Sequence, residues 1–237
     1  KFSRAKQILD DNPLIKADLP KRYIRTLHYL IQCLIELGRF KEARDSIKQL
    51  RALDGQEGFA GIDIHVHIFN ARYLTELRML DRMGEQVKAL EMVQPIITGL
   101  EELGPRLHKE YELEFYFNLA CVHFGANEVN RSLFWLNKVL NDPEPTLRQD
   151  IFTYARLFNL LVHYELGNND LLEYIVRSTQ RFLSKKQRAH QVEILLIEHI
   201  KKLARTTEPS AKRELYRSLR DQMVKVLKDP NESLSLK

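Results

Sequence analysis

Apolar residues recur along this chain with the period of an α-helix. Between residues 27 and 35 they occupy positions i, i+3, i+4, i+7 and i+8, which lie on one helix face: Leu27, Leu30, Ile31, Leu34 and Ile35. Similar stripes run through 66–80, 110–124, 151–166, 171–183, 191–203 and 215–227. No segment alternates apolar and polar residues as a half-buried strand does. The pattern predicts an all-α protein.

Residues that end helices separate these stripes. Gly, Pro and Asn fall between them, at Asn12-Pro13, Leu19-Pro20, Gly38, Asp54-Gly55, Gly104-Pro105, 142–145, 167–169 and Glu208-Pro209. The segment 52–64 is expected to be a longer loop. The chain is therefore predicted to be a series of helices joined mostly by short turns.

Four of the predicted turns have similar flanking sequences. Three contain a glycine, and the other has Asn in its place: Gly38, Gly84, Asn127 and Gly167. Five positions later the second helix carries Ala43, Ala89, Ser132 and Leu172. Glycine ends a helix in the left-handed conformation without a Cβ clash, and a small residue lets two helices approach closely. The spacing predicts repeated hairpins, each with a first helix A and a second helix B.

This pattern resembles the tetratricopeptide repeat (TPR), whose helical hairpins carry Gly-x-aromatic-x-x-Ala at the turn. Gly38, Phe40 and Ala43 match it best, and 118–120 (Asn-Leu-Ala) is similar to the family's helix A core. The resemblance covers 1–183 and implies a right-handed α-solenoid. The repeat intervals of 46, 43 and 40 residues depart from the family's value of about 34. Helix A carries no Trp, and the single Trp135 lies on a helix B.

The two ends of the chain differ from the predicted repeats. Residues 2–10 have a Phe-x-x-Ala pattern and are expected to be helix B of a truncated repeat from a longer protein, with a chance match as the alternative. Residues 184–237 lack the hairpin motif. Two helices, at about 185–205 and 210–227, are expected to cap the solenoid, followed by a frayed tail from 229. The expected division is 1–183 for the repeats and 184–237 for the cap.

The resemblance also implies a function. In the TPR family, helix A lines a concave face that binds peptides or protein segments. Carried over hairpin by hairpin, these positions are Arg25, His28, Gln32, Glu36; Leu74, Arg78, Asp81, Arg82; Glu114, Phe117, Cys121, Phe124; and Tyr154, Leu157, Leu161, Tyr164. We expect partner contacts from His28, Gln32, Arg78, Arg82, Phe117, Phe124, Tyr154 and Tyr164. The alternative for the aromatic residues is burial under the C-terminal helices. The implied role is a non-enzymatic protein-interaction scaffold.

The distribution of charge gives an alternative function. The chain has a net charge of +5, yet residues 185–228 alone carry 12 basic and 5 acidic side chains. A nucleic-acid surface could use Lys185, Lys186, Arg188, Lys201, Lys202, Arg205, Lys212, Arg213, Arg217 and Arg220. Adjacent basic residues spread around a helix, and no helix-turn-helix signature accompanies them, which favours a solvated face. Self-association through the solenoid edge is a third alternative.

Motifs that would indicate catalysis or a cofactor are absent from the sequence. It contains no P-loop, no dinucleotide fingerprint and no His-Glu-x-x-His, and His65-x-His67 has no third ligand nearby. His123 and His163 are interpreted as core or groove histidines. Cys33 and Cys121 do not form a Cys-x-x-Cys pair and are expected to be buried in a reducing compartment. We expect no enzyme activity, cofactor, metal or membrane span, and a cytoplasmic location.

Overall fold

The computed structural model describes residues 1–184, 190–229 and 232, and within these ranges the regular elements are helices without any strand. The chain divides into two compact units, Lys1–Ala126 and Asn127–Lys237. They do not coincide with the predicted division at 183/184, because the C-terminal helices share a core with the hairpin before them. None of the described helices is both long enough and apolar enough to span a membrane.

Unit 1 contains eight α-helices in its described residues and a 3-10 turn at Gly104–Arg106. The helices are α1 (Phe2–Asp10), α2 (Pro13–Asp18), α3 (Pro20–Glu36), α4 (Phe40–Ala52), α5 (Ile62–Met83), α6 (Gln86–Glu91), α7 (Val93–Leu103) and α8 (Lys109–Gly125). α3 packs on α4 and α5, and α4 also packs on α5, so that successive hairpins stack. α1 packs on α3, and α8 packs on α5, α6 and α7.

Unit 2 is also built of helices that pack on their neighbours in the chain. Its helices in the described part of the chain are α9 (Val129–Leu140), α10 (Gln149–Glu165), α11 (Asn169–Ser184), α12 (Gln191–Arg205) and α13 (Pro209–Val226). α10 packs on α9, α11 and α12, and α12 packs on α11 and α13. The predicted 185–205 helix thus begins at Gln191. Residues 185–189 and most of the predicted frayed tail lie outside the described residues.

The four repeated turns have one backbone conformation. Gly38, Gly84 and Gly167 have φ values of 69°, 68° and 70°. Asn127 also adopts a positive φ, 62°, although its Cβ restricts the backbone more than a glycine does. Asn tolerates the left-handed region better than most residues with a Cβ. The positions five residues later are also buried, with Ala43 and Ser132 at 0 % exposure. The repeat pattern therefore predicted the turns and the buried helix B positions correctly.

Helix B of the second hairpin is broken into α6 and α7. Pro95 is the third residue of α7 and has no backbone N–H to donate. In a continuous helix its ring would also clash with the carbonyl group four residues earlier. The break falls at Met92, between the last residue of α6 and the first of α7. α7 packs closely on α5 at Gly99. A Cβ at this position would lie 2.1 Å from the Phe69 ring, so the close approach requires glycine.

The connection from α4 to α5 is part of the core of unit 1. Leu53 and Phe59 are buried, and the Phe59 ring meets the Tyr23 ring edge-on at 5.8 Å. Gly58 has φ 77°, and a Cβ there would lie 2.7 Å from Cβ of Ala17 in α2. The predicted loop at 52–64 is confirmed between Leu53 and Gly61, but it packs against α2 and α3.

The prediction that Cys33 is buried is wrong. Its side chain is exposed, although both cysteines were expected to be buried. The buried stripe of α3 runs through Leu27, Leu30, Ile31, Leu34 and Ile35, and position 33 lies outside it. Cys121 is only partly exposed, and burial of its thiol, together with the charge of Asp81, raises the pKa to about 12.

Candidate functional site

A cavity of about 730 Å³ opens in unit 1 beside the N-terminal half of α3. α3, α5 and α8 all contribute to its wall, and the end of α2 closes one side. A cavity of this size is within the range that holds a small molecule or several residues of a peptide. This cavity is the candidate functional site of unit 1.

The cavity overlaps one of the helix faces that the TPR resemblance picks out, the face on α3. Arg25 and His28, two of the carried-over positions on α3, line it directly. Other lining residues lie nearer the helix N-termini: Lys21, Asn70 and Tyr111 are one helical turn before a carried-over position, and His67 is two turns before Leu74. Extending each face by one turn toward the helix N-terminus would have found Lys21, Asn70 and Tyr111, since residues three or four apart share a face.

Asn70 is the most unusual side chain in this wall. It is 4 % exposed, and neither Oδ1 nor Nδ2 has a hydrogen-bond partner. Buried polar side chains in folded proteins are nearly always hydrogen-bonded, and each unsatisfied group costs roughly 1–3 kcal/mol. Asn70 therefore has one unused donor group and one unused acceptor, both shielded from solvent, in the wall of the cavity.

His28 is held in place by the next turn of α3. Its Nε2 lies 3.0 Å from Nε2 of Gln32, so the amide donates to the ring and the proton is on Nδ1. That Nδ1 turns toward the backbone of Ala71 without a hydrogen bond of normal geometry. Burial lowers the pKa of His28, and burial also lowers the pKa of His67. Both rings are therefore neutral at pH 7.

Positive charge dominates the α2–α3 side of the cavity. Lys21, Arg22 and Arg25 line it together with one acid, Asp18. Lys21 lies 3.6 Å from the carboxylate of Asp63, whereas neither arginine has an ion-pair partner among the described residues. The cavity wall also includes the first turn of α3, whose N-terminus has no side-chain cap. This end of the cavity is suited to an anionic group.

The C-terminal half of the same face is neutralised internally. Glu36 of α3 lies 2.7 Å from Arg78 and 3.1 Å from Arg82 of α5. Burial acts to raise the pKa of Glu36, but the hydrogen bond from Arg78 and the charge of Arg82 outweigh it and hold the pKa below its usual value. The predicted contact residues Arg78 and Arg82 thus lie beside the α3 positions, paired with a carboxylate.

Phe117 and Phe124 lie on α8, two turns apart. Both side chains are half-buried, and both make contacts in the folded chain. Leu119 and Ala120 between them are fully buried. A role for the two rings in partner binding stays a prediction.

Tyr154 and Tyr164 lie on α10 in unit 2. Tyr154 is half-buried, and burial raises its pKa. The Tyr164 hydroxyl accepts a hydrogen bond from Tyr216 of α13 at 3.1 Å, and Lys212 lies 5.9 Å from the Tyr164 ring centroid. The neighbouring carried-over position Leu157 is in the core between α10, α11 and α12. The C-terminal hairpin therefore covers much of this face.

The remaining polar candidates have local partners. His65 lies 3.0 Å from the Asp54 carboxylate, and Nδ1 of His163 lies 3.1 Å from the Asn168 amide. The described residues contain no group of three or more His, Cys, Asp or Glu side chains placed to hold a metal ion.

The basic C-terminal surface is partly paired. Arg205 lies 2.8 Å from Glu173, and Arg220 lies 2.9 Å from Asp221. Lys201, Lys202, Arg213 and Arg217 are exposed. Lys185, Lys186 and Arg188, also named for a nucleic-acid surface, lie outside the described residues.

Comparison of the chain with models of known protein families, with curated proteins and with solved structures gave no match.

Proposed function

We propose that this protein is a non-enzymatic interaction scaffold, a right-handed solenoid of TPR-like hairpins that holds a segment of a partner protein. The bound segment lies in the cavity of unit 1 and continues along the adjoining face of α3 and α5. Partner contacts then come from His28 and Gln32 near the cavity, and from Arg78 and Arg82 further along.

One observation carries this proposal. Three helix A elements, α3, α5 and α8, form part of the cavity wall, and two of the positions that the repeat register assigns to ligand contact, Arg25 and His28, lie in it. This overlap supports the assignment of the ligand-contact face on helix A of the first hairpin. Stacking of α3 on α5 and of α5 on α8 supports that arrangement.

The lining residues favour binding over catalysis. They include no Ser, Thr or Cys that could act as a nucleophile. What the wall offers is the basic side chains of Arg22 and Arg25, neither of which has an ion-pair partner in the described chain. These groups recognise and orient a ligand.

Site-specific photo-crosslinking tests the location. Peptides are first selected from a random library on the whole protein, and a photo-reactive phenylalanine analogue then replaces either Tyr29 or Tyr174. Tyr29 lines the cavity and is 43 % exposed, while Tyr174 on α11 is 64 % exposed and serves as the matched control. We expect crosslinks at position 29 and not at position 174. Equal crosslinking at both, or at 174 alone, contradicts the proposal.

A further inference from the structure

A groove of about 330 Å³ lies in unit 2, between the N-terminal end of α12 and the C-terminal end of α13. Its lining residues come from these two helices alone: Gln191, Ile194, Leu195, Gln222, Lys225 and Val226. Ile194 is 46 % exposed, and none of the 18 residues of α13 is buried. Covering apolar surface of this kind is favourable. This α12–α13 groove is therefore a surface on which a further apolar segment can pack.

Glu232 brings the C-terminal end of the chain to the edge of this groove. It is 5 % exposed, and its Oε2 accepts a hydrogen bond from the backbone N–H of Val192 at 3.3 Å. Val192 is the second residue of α12, where the N–H groups have no acceptor within the helix and the helix dipole favours a carboxylate. Nδ1 of His190 lies 3.8 Å from the same oxygen. The tail that the sequence predicts to fray from 229 is thus held to α12 at Glu232.

The five residues after Glu232 have the length and the pattern to enter the groove. Residues 233–237 have the sequence Ser-Leu-Ser-Leu-Lys and lie outside the described residues. Ile194 is two residues beyond Val192, about 3 Å further along the α12 axis. Five extended residues reach up to about 17 Å, which is enough to cross the groove from that point. Leu234 and Leu236 are two positions apart, so they share one side of an extended segment.

We propose that the α12–α13 groove is the docking site of the chain's own residues 233–237. Leu234 and Leu236 pack on the apolar side chains of the groove, and Glu232 anchors the segment at the N-terminus of α12. The docked segment covers apolar surface that the α12–α13 hairpin leaves exposed. A second copy of the chain or another protein would have to displace a segment that Glu232 already places at the groove. This proposal concerns unit 2 and is independent of the proposed function.

A photo-reactive phenylalanine analogue in place of Leu236 tests the docking in the whole protein. The protein is irradiated at low concentration, digested and analysed by mass spectrometry. We expect crosslinks within one chain to 191–195 or 222–226. Crosslinks that join two chains would assign the groove to a second copy. That outcome, crosslinks to other regions only, or no crosslinks at all would each overturn the proposal.

Two surface substitutions show whether the crosslinks depend on the groove. Ile194→Glu places a charge in the groove, and we expect the crosslink yield to fall about tenfold because an apolar segment does not pack on an unpaired charge. Val224→Glu is the matched control, because Val224 is 56 % exposed on α13 and does not line the groove. It should leave the yield unchanged. Both sites are at the surface, and circular dichroism checks that both variants fold. Equal yields in the two variants would overturn the proposal.

Glu232→Ala tests the anchor. The substitution removes the carboxylate that accepts from Val192, and we expect the crosslink yield from position 236 to fall about threefold while the helical signal is retained. An unchanged yield would overturn the assignment of Glu232 as the anchor.

Removal of 233–237 gives a readout that needs no crosslinking. We expect the shortened chain to bind more of the apolar dye anilinonaphthalene sulfonate than the full chain, with fluorescence about twofold higher, because the groove is uncovered. Adding Ile194→Glu to the shortened chain should abolish the increase, whereas adding Val224→Glu should not. Equal dye fluorescence in the full and shortened chains would contradict docking of the segment in the groove.

Discussion

The helix A faces of the two units have opposite surroundings. In unit 1 the face of α3 borders an open cavity and carries Arg25 and His28. In unit 2 the corresponding face of α10 carries Leu157, Leu161 and Tyr164, which pack in or against the core that α10 shares with α11 and α12. The same hairpin plan therefore yields a polar surface in one unit and an apolar contact in the other.

This difference shows that the repeat register alone does not assign a function to a face. The register says which side chains point the same way, but the next packed element decides whether they meet solvent, a ligand or another helix. The residue types agree with the outcome at each place, with Arg and Asn bordering the cavity and Leu under α12. Substitutions should therefore affect the two faces through different properties.

The largest difference is expected in stability. Leu157→Ala removes a core side chain that is 6 % exposed, and the cavity left behind should lower the free energy of unfolding by about 2–5 kcal/mol. Arg25→Ala, on the exposed face of α3, should change the free energy of unfolding by no more than about 0.5 kcal/mol. Urea unfolding followed by circular dichroism measures both. Similar losses of unfolding free energy in the two variants would contradict the conclusion that one face is covered and the other open.

A smaller effect is expected from the cluster that fixes α2, which closes one side of the cavity. Asp10 accepts hydrogen bonds from Lys6, Lys16 and Tyr23, so it joins α1, α2 and α3. Burial acts to raise the pKa of Asp10, but these hydrogen bonds outweigh it and lower the pKa below its usual value. Its stabilisation is therefore complete at neutral pH and is lost as the pH falls below about 4.

Asp10→Asn tests this pH dependence. Because the carboxylate is partly in contact with water, we expect the variant to lose about 1 kcal/mol or less at pH 7. At pH 2 the difference between the wild type and the variant should be smaller than at pH 7, since the native carboxyl group becomes protonated as the pH falls through its lowered pKa. Urea unfolding at both pH values measures the difference. A variant that is equally destabilised at both would show that Asp10 acts through packing and not through its charge.

The smallest effect is expected at the paired end of the open face. Glu36→Gln removes the carboxylate between Arg78 and Arg82, all three of which are partly exposed. Exposed ion pairs contribute little, so the free energy of unfolding should fall by no more than about 0.5 kcal/mol. The same urea titration measures it. A loss above about 1 kcal/mol would mean that α3 and α5 depend on this pair, and the face would then resemble the covered one.

Most of the helices could be predicted from the sequence because their apolar stripes are regular and their turns carry Gly, Pro or Asn. The sequence pattern did not predict which side of α5 faces the cavity. It is buried on several sides, with Ile64, Val66, Ile68 and Phe69 in succession, so no single stripe marks its ligand-facing side. Asn70 was missed for that reason, although it lies one turn before the carried-over position Leu74.

Burial of individual polar and small residues could not be predicted either. Cys33 and Cys121 both lie in apolar helical segments, yet only Cys121 is largely shielded, because exposure depends on which neighbours pack around each position. The missing hydrogen bonds of Asn70 depend in the same way on the relative placement of α3 and α5. A one-dimensional pattern contains no information on that placement beyond the shared face.

The packed connection between α4 and α5 limits how the length of this protein can vary. Phe59 lies in the core against Tyr23, and Gly58 touches α2, so an added or deleted residue in 53–61 would displace a buried ring and move the helix that closes the cavity. The connection between α9 and α10 is different, because residues 143–147 are all exposed. Insertions, tags and natural length differences can be accommodated there. The length of the α4–α5 connection, beside the cavity, is therefore constrained, and the length of the α9–α10 connection is not.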